Sequence, residues 1–431
     1  MQTASKKVIN GWAMYDWANS VYNLVITSTI FPAYYESVTK ETGDDTVRFL
    51  GRKFVNTALY NYSIAVAILI VAFLIPILSS IADYKGNKKL FMRFFSTIGA
   101  VACGLLYFFT GKNNIEIGIA CVMLACIGFW GSLVFYNSYL PEIASEKDRD
   151  MVSAKGFTMG YIGSVLLQIV CLVLVFTMSD GAMAARLSFV LVGLWWIGWA
   201  QFSFTRLPEG SPSAHRPEKN IFANGFIELK KVFAQVKQLP VLKRFLGAFF
   251  FYNMGVQTVM LAAALFGAKE LHMPTQNLII TILIIQLVAI AGAYLMAKLA
   301  AKYGNLEVLA FVVIIWILIC VAAYFTTTSM QFYFVGAAVG LVMGGIQSLS
   351  RSTYSKLMPP TKDTASFFSF YDVSEKIAIV IGMFIFGILE ELTGSMRNSI
   401  LAIMIFFSIG LILLFLTIAA QKKNPQQLQT T

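Results

Sequence analysis

Twelve apolar runs recur along the 431-residue chain, each about long enough to cross a bilayer as a helix. Their approximate limits are 12–36, 56–82, 90–110, 115–140, 152–177, 184–206, 242–267, 275–297, 306–326, 331–355, 365–389 and 397–420. A hydrocarbon core holds no water for unpaired backbone groups, so a spanning segment must satisfy them internally, as a helix does. About 20 residues at a rise of about 1.5 Å cover the roughly 30 Å core. The predicted fold is an all-α membrane protein with twelve transmembrane helices. The composition, 58% hydrophobic and 13% charged, agrees, because a soluble domain of this length does not need so much apolar surface.

The longest polar interruption spans 207–240 and holds Pro208, Pro212, Pro217 and Pro240 with Glu209 and Glu218. It divides the chain into an N-terminal six-helix bundle at 1–206, a cytoplasmic linker at 207–240 and a C-terminal six-helix bundle at 241–431. Within the linker, Phe222, Phe226, Leu229, Phe233 and Val236 recur at helical spacing opposite Lys230, Lys231 and Lys237. That pattern fits an amphipathic helix on the membrane surface, and equally a solvated linker helix.

Charge sets the orientation. With both termini cytoplasmic, 24 of the 33 Lys and Arg fall on that side. Eight fall outside (Lys40, Arg48, Arg52, Lys53, Lys112, Arg186, Lys269 and Arg397), and Lys376 lies within a span. The net charge of +11 therefore reads as a positive-inside bias and not as a nucleic-acid surface. Cys103, Cys121, Cys126, Cys171 and Cys320 all lie in apolar runs and read as packing residues. His215 and His272 fall in loops, so no histidine metal site is expected within the membrane. The polar N-terminus and the length of the first apolar run argue against a cleavable leader.

The first run is not uniformly apolar. Asp16, Asn19, Ser20, Asn23 and Thr27 fall at i, i+3, i+4, i+7 and i+11, one stripe on a helix. Facing hydrocarbon, that stripe would cost several kcal/mol. It must face other helices or a water-filled path, as cavity lining or as polar contacts between helices. Further amides lie inside other runs: Gln168 in span five, Asn253 and Gln257 in span seven, and Gln286 in span eight. Amides donate and accept, so such a set can hold a zwitterion or a polyol without a buried net charge, although each alone fits a packing contact.

The two halves share a local echo. Asp83-Tyr84-Lys85-Gly86-Asn87 follows span two, and Ala301-Lys302-Tyr303-Gly304-Asn305 follows span eight. Either glycine permits a tight turn between helices. Glycines at 156, 160 and 163, and at 336, 340 and 344, give small-residue faces that let helices approach closely.

The first of these loops resembles the loop motif of the major facilitator superfamily, G-x-x-x-D-R/K-x-G-R-R/K. Asp83, Gly86 and Lys88 match it, while Ser79, Tyr84 and Asn87 depart from it. Longer stretches narrow the branch. Tyr15-Asp16-Trp17-Ala18-Asn19-Ser20, Phe135-Tyr136-Asn137 with Leu140-Pro141-Glu142, and Gly156-Phe157-Thr158-Met159-Gly160-Tyr161-Ile162-Gly163 lie in the first half. Gly344-Gly345-Ile346-Gln347-Ser348-Leu349-Ser350-Arg351-Ser352 and Tyr371-Asp372-Val373-Ser374-Glu375-Lys376 lie in the second. Together they resemble the fungal vacuolar amino-acid effluxer-like, autophagy-related permeases and their bacterial relatives. The resemblance implies the twelve-helix major facilitator fold and a latching role for Asp83 and its basic neighbours. It also implies release of amino acids in the fungal members.

A carrier of this kind needs a polar pocket and charged latches. Asn19, Asn23, Thr27, Gln168, Asn253, Gln257 and Gln286 are the pocket candidates. Asp16, Asp83, Glu142, Arg351, Asp372, Glu375 and Lys376 are the candidates for coupling and gating, with a structural charge network as the alternative. Asp372 and Lys376 are one turn apart and can pair along one helix, which leaves Glu375 for the cavity or for Arg351. No phosphate-binding GxxxxGK[ST] occurs, no cofactor or metal is implied, and no nucleophile with a base partner suggests an enzyme. The expected function is secondary transport of a small polar solute, with amino acids carried over from the resemblance. The expected partners are that solute, the bilayer and, through Asp16, Asp372 or Glu375, protons; the expected state is monomeric and the expected site a bacterial inner membrane. Export of amphipathic compounds or lipids is the alternative, as is a scaffold or receptor that no longer transports.

Overall fold

A computed structural model describes residues 2–40, 44–210, 212 and 221–423. Helix α1, Lys6–Val21, runs into a π-helical stretch, Tyr22–Thr29, and then α2, Ile30–Thr39. A two-stranded antiparallel hairpin follows, β1 (Thr46–Phe49) and β2 (Arg52–Val55). The helices continue as α3 (Asn56–Lys85), α4 (Lys88–Leu105), α5 (Ile115–Ser138), the short α6 (Leu140–Ile143), α7 (Arg149–Thr177) and α8 (Gly181–Phe204). Then come α9 (Ile221–Gln238), α10 (Pro240–Lys269), α11 (Thr275–Tyr303), α12 (Asn305–Phe325), α13 (Ser329–Leu357), α14 (Thr364–Thr393) and α15 (Met396–Lys423).

Among the described residues, ten helices are long and apolar enough to cross a membrane. The two other predicted spans are helical as well, and each departs from an apolar rod. The first is divided by π turns. The eleventh, α14, carries Asp372, Glu375 and Lys376. The hairpin was not legible as strands, because its apolar residues are too few to set an alternation apart from a loop.

The described residues form two compact units. One gathers those of Met1–Ala4, Ser138–Thr158 and Phe226–Thr431; the other, those of Ser5–Asn137 and Met159–Gly225. In the second unit, α7 lies on α1 through its glycines. A Cβ on Gly160 would stand 2.5 Å from Ser20 Oγ, and one on Gly163 would stand 2.7 Å from the Trp17 carbonyl oxygen. In the first unit, α11 and α13 meet backbone to backbone. A side chain on Gly340 or Gly344 would strike the carbonyl of Ile285 or Ala289. These glycine faces hold helices together at van der Waals range, as small residues do where no hydrophobic drive separates helix from lipid.

The turn after α3 forms as expected. Gly86 has φ +65°, and its N–H bonds back to Asp83 O. Lys88 Nζ lies 3.4 Å from Asp83 Oδ1, with both side chains buried, so the pair ties the end of α3 to the start of α4. The lysine begins α4, so the partner charge also offsets an unfavourable cation at a helix N-terminus.

The linker helix keeps part of the predicted face: Val236 is buried, Leu229 is half-buried, and Lys230, Lys231 and Lys237 are exposed. Val232 and Val236 are buried, whereas Phe233 is 46% exposed with its ring 6.1 Å from that of Phe370. The buried positions are i and i+4, a stripe that begins one residue before the predicted phenylalanine. Pro217, Glu218 and His215 lie outside the described residues, as do the side chains of Phe222 and Phe226.

The N-terminus is strapped to the α6–α7 connection. Ala4 N donates to Ile143 O at 2.8 Å, Ser145 N donates to Thr3 Oγ1 at 3.0 Å, and Thr3 Oγ1 donates to Asp148 Oδ2. Those hydroxyl bonds from Thr3 and Ser145 hold the Asp148 carboxyl below the usual carboxylate range.

Candidate functional site

The polar interior is built differently in the two units. In the second, Asp16 is buried on α1 and accepts from Tyr136 Oη at 2.7 Å. Trp12 Nε1 donates to the Tyr136 carbonyl at 2.9 Å, and the two rings stack at 4.5 Å. Asp16 is thus fixed by an aromatic shelf of α5. Asn19, one turn on, is buried, and its Nδ2 has no hydrogen-bond partner.

Past Val21 the predicted stripe breaks. The π turns bond at i to i+5, so residues beyond 22 no longer follow the 3.6 period. Asn23 is exposed, Thr27 is half-buried with its hydroxyl unpartnered, and Thr29 moves inward. Ser28 and Thr29 support the wide turns by donating to carbonyls five residues back, Asn23 O at 2.9 Å and Leu24 O at 2.7 Å.

Thr29 Oγ1 also lies 2.9 Å from Gln168 Oε1 on α7, while Gln168 Nε2 has no partner. One hydroxyl proton cannot serve two acceptors. Turning the Gln168 amide removes the conflict, so that Nε2 donates to Thr29 Oγ1 and Thr29 donates to Leu24 O. The free end of Gln168 is then an acceptor, suited to a donor such as an ammonium or hydroxyl. Thr29 was not a predicted site residue, because it stands two residues off the 3.6-period stripe.

In the first unit, α10 and α14 bring three of the predicted residues together. Gln257 Nε2 lies 3.2 Å from Glu375 Oε1 and 3.4 Å from Asn253 Oδ1. Asn253 is buried with its Nδ2 unpartnered. The next residue of α14, Lys376, donates from Nζ to Asp372 Oδ1 at 2.5 Å, one turn back along the same helix. Glu375 therefore turns to the amides of α10 and not to Arg351. Gln286 on α11 is buried and shares no hydrogen bond with this cluster; its Oε1 has no partner.

Arg351 instead binds the start of α7. Its Nε donates to Ser153 Oγ at 2.9 Å, its Nη2 donates to Ser153 O at 2.8 Å, and its guanidinium lies 4.2 Å from the Phe157 ring centre. Ser153 Oγ in turn donates to Ser348 O at 2.8 Å. Asp150 accepts from Asn305 Nδ2 at 2.7 Å and from Lys356 Nζ at 2.5 Å. Arg149 Nη1 donates to Ser355 O at 2.7 Å, and Glu142 accepts from Thr364 Oγ1 at 2.7 Å. Asp150 sits in the first turn of α7 and Lys356 in the last turn of α13, so each charge also suits its helix end. Of this network the sequence had supplied Glu142 and Arg351. Asp150 and Lys356 lie among ordinary positive-inside loop charges, and nothing in their local pattern sets them apart.

The same unit contains an apolar cavity bounded by Phe266, Ile285, Cys320, Phe332, Gly336 and Ile403, among others. None of the predicted pocket residues lines it. Among the described residues, no group of His, Cys, Asp and Glu could hold a metal ion.

Against known proteins, the description "Vacuole effluxer Atg22 like" fits a family whose profile matches residues 4–427. The chain belongs to that family. The chain is 32% identical over 412 residues to the MFS-type transporter YxiO of Bacillus subtilis, covering 94% of this chain and 93% of the relative. To autophagy-related protein 22 of Saccharomyces cerevisiae it is 24% identical over 466 residues, covering 91% and 88%. Among solved structures, the human organic anion transporter MFSD10 superposes with TM-score 0.72 at 11% identity, covering 95% of this chain and 98% of the other. FucP in its outward conformation superposes with TM-score 0.70 at 12% identity, covering 95% and 97%. The Atg22-like chain thus has the major facilitator fold and is a multi-pass integral membrane protein of the secondary-transport class.

Proposed function

We propose that this Atg22-like chain carries a small polar solute, amino acids foremost, across the membrane by alternating access. The observation that carries the reading is the Glu375–Gln257–Asn253 cluster on α10 and α14. A carboxylate flanked by amides inside membrane-spanning helices offers a counter-charge for an ammonium group. The acceptor end of Gln168, in the other unit, is a separate place for a donor. Substrate arrival and release would then exchange one set of polar contacts for another, without ATP and without bond-making chemistry. The effluxer description of the family supports amino acids as the first solutes to try.

The charge asymmetry supports both termini and the linker on the cytoplasmic side, in the inner membrane if the cell is bacterial. Reporter tags at residue 431 and near residue 213, both outside the described residues, should read cytoplasmic; an outside reading at either would remove the twelve-span topology.

Flux of radiolabelled amino acids into proteoliposomes, against empty vesicles, tests the function. Uptake by the native chain and its loss in Glu375→Gln, at unchanged folded yield, is the expected result. The apolar cavity favours the rival reading, export of an amphipathic compound. Movement of a hydrophobic dye without any amino-acid flux would replace the proposal with that rival.

A further inference from the structure

Eight Lys and Arg residues lie in connections that the charge asymmetry puts outside, and five of them are matched within the protein. Lys40 Nζ lies 3.4 Å from Glu36, Lys112 Nζ 3.7 Å from Asp44, Lys269 Nζ 2.9 Å from Glu390 and Arg397 Nε 3.2 Å from Glu270. The Arg186 guanidinium stands 5.3 Å from the centre of the Tyr107 ring. The other three, Arg48, Arg52 and Lys53, belong to the β1–β2 hairpin; among the described residues none has a close ion pair or a ring partner, and Lys53 shares only the longer-range field of Asp44 with Lys112.

The hairpin places two of them side by side and the third on the other face. Arg48 is directly opposite Lys53, and Phe49 is opposite Arg52. Like charges facing one another across two strands destabilise the ribbon. Val47 is buried on the other face opposite Phe54, and Arg52 stands on that face nearer the turn; Arg48, Arg52 and Lys53 are all exposed. At the turn, Leu50 and Gly51 have φ +48° and +78°, and Leu50 is 78% exposed. Helix α3 begins at the next residue after β2, and its Tyr62, Val66, Leu69 and Phe73 are exposed large side chains of a spanning helix. The hairpin therefore stands where hydrocarbon gives way to headgroups.

We propose that the hairpin docks on the anionic headgroups of phospholipids in the surrounding leaflet. Arg48 and Lys53 take phosphate oxygens from one face and Arg52 from the other, and Leu50 at the turn places its apolar side chain beneath them. The order of chemistry matches a bilayer surface: cations at the level of the phosphates, with an exposed apolar residue at the tip. A phosphate between Arg48 and Lys53 removes the repulsion that the bare ribbon carries. Cations are sparse outside under the positive-inside rule, and here three gather within six residues.

The test uses the full chain. The five native cysteines are buried, so Leu50→Cys supplies one accessible thiol for a polarity-sensitive dye. The labelled protein in neutral detergent is titrated with phosphatidylglycerol or phosphatidylcholine in mixed micelles. The expected result is a blue shift at lower mole fraction of phosphatidylglycerol. Arg48→Gln, Arg52→Gln and Lys53→Gln together should remove that preference, by roughly fivefold per charge, and high salt should weaken it. The charge-keeping exchange Arg48→Lys with Lys53→Arg should retain it. Equal responses to the two lipids, retention in the triple glutamine variant, or loss in the charge-keeping exchange would each overturn the proposal.

Discussion

Lys376 Nζ lies 2.5 Å from Asp372 Oδ1, one turn back along α14, and both side chains are buried. The helix thus brings its own counter-ion for a lysine in the membrane interior. Removing one partner of a buried pair leaves the other charge stranded, at a cost of about 3–5 kcal/mol. Asp372→Asn should therefore lower folded yield sharply, and adding Lys376→Met should restore part of it. A double-mutant cycle on folded yield measures the coupling. Zero coupling would assign Lys376 a counter-charge on another helix.

Glu375, the neighbour of this pair, points about 100° away around α14 and meets Gln257 instead. Glu375→Gln keeps the size of the side chain and can keep a hydrogen bond. Folded yield should stay near native, while solute flux falls at least tenfold. Lys376→Met should not rescue that loss. Rescue would make Glu375 part of the ion pair and not of the solute cluster.

Thr29 links the π-helical stretch to α7 through Gln168. Thr29→Val keeps the shape and deletes the hydroxyl. The expected cost is about 1 kcal/mol of stability, with a larger effect on apparent solute affinity, because the Gln168 amide is then free to turn. Thr29→Ser should behave as native. Initial-rate flux against solute concentration separates the two effects, and a change in stability alone would limit Thr29 to a structural role.

Gly86 holds φ +65° at the turn into α4, next to the buried Asp83–Lys88 pair. A β-branched residue there costs about 1–2 kcal/mol of backbone strain. Gly86→Val should lower flux more than it lowers folded protein, and Gly86→Asn should be milder. Equal loss of both quantities in the valine variant would confine the glycine to folding.

The N-terminal strap depends on an ionised Asp148. Its carboxyl is held below the usual range, so the strap's contribution is complete above the unfolded value of about 3.9 and disappears as pH falls through the lower folded value. Amide exchange at Ala4 should accordingly stay slow relative to a free peptide down to about pH 4 and become unprotected below it. Asp148→Asn should show the unprotected rate already at neutral pH. Protection unchanged in that variant would place the hold on Ala4 in the Ile143 carbonyl alone.

The apolar runs made the helices legible, because length and hydropathy suffice for a segment that must satisfy its own backbone in lipid. The Asp372–Lys376 pair was legible too, since i and i+4 on one helix is a local relationship. Thr29 was not, because a 3.6-residue period cannot anticipate a stretch wound at i to i+5. Arg351 appeared in the sequence as a charge near Glu375, yet Ser153 holds it, and a separation of 198 positions leaves no local sign. The same holds for Asp150 with Lys356. On the linker helix the predicted stripe holds at Val236 and departs at Phe233, whose ring lies against Phe370 while Val232 takes the inward position.

The π-helical stretch has a mechanical consequence. Tyr34 and Tyr35 on α2 donate to the carbonyls of Phe109 and Asn56 at 2.7 and 3.0 Å, and Trp12 on α1 is held by Tyr136. The segment is thus clamped at both ends and wound loosely over eight residues between them. Tightening one wide turn to the α pitch releases one residue, or about 100° of rotation. With the ends tied, one turn tightens only as another widens, and the residues between the two, in the stretch that holds Asn23 and Thr27, turn about the helix axis without shifting either anchor.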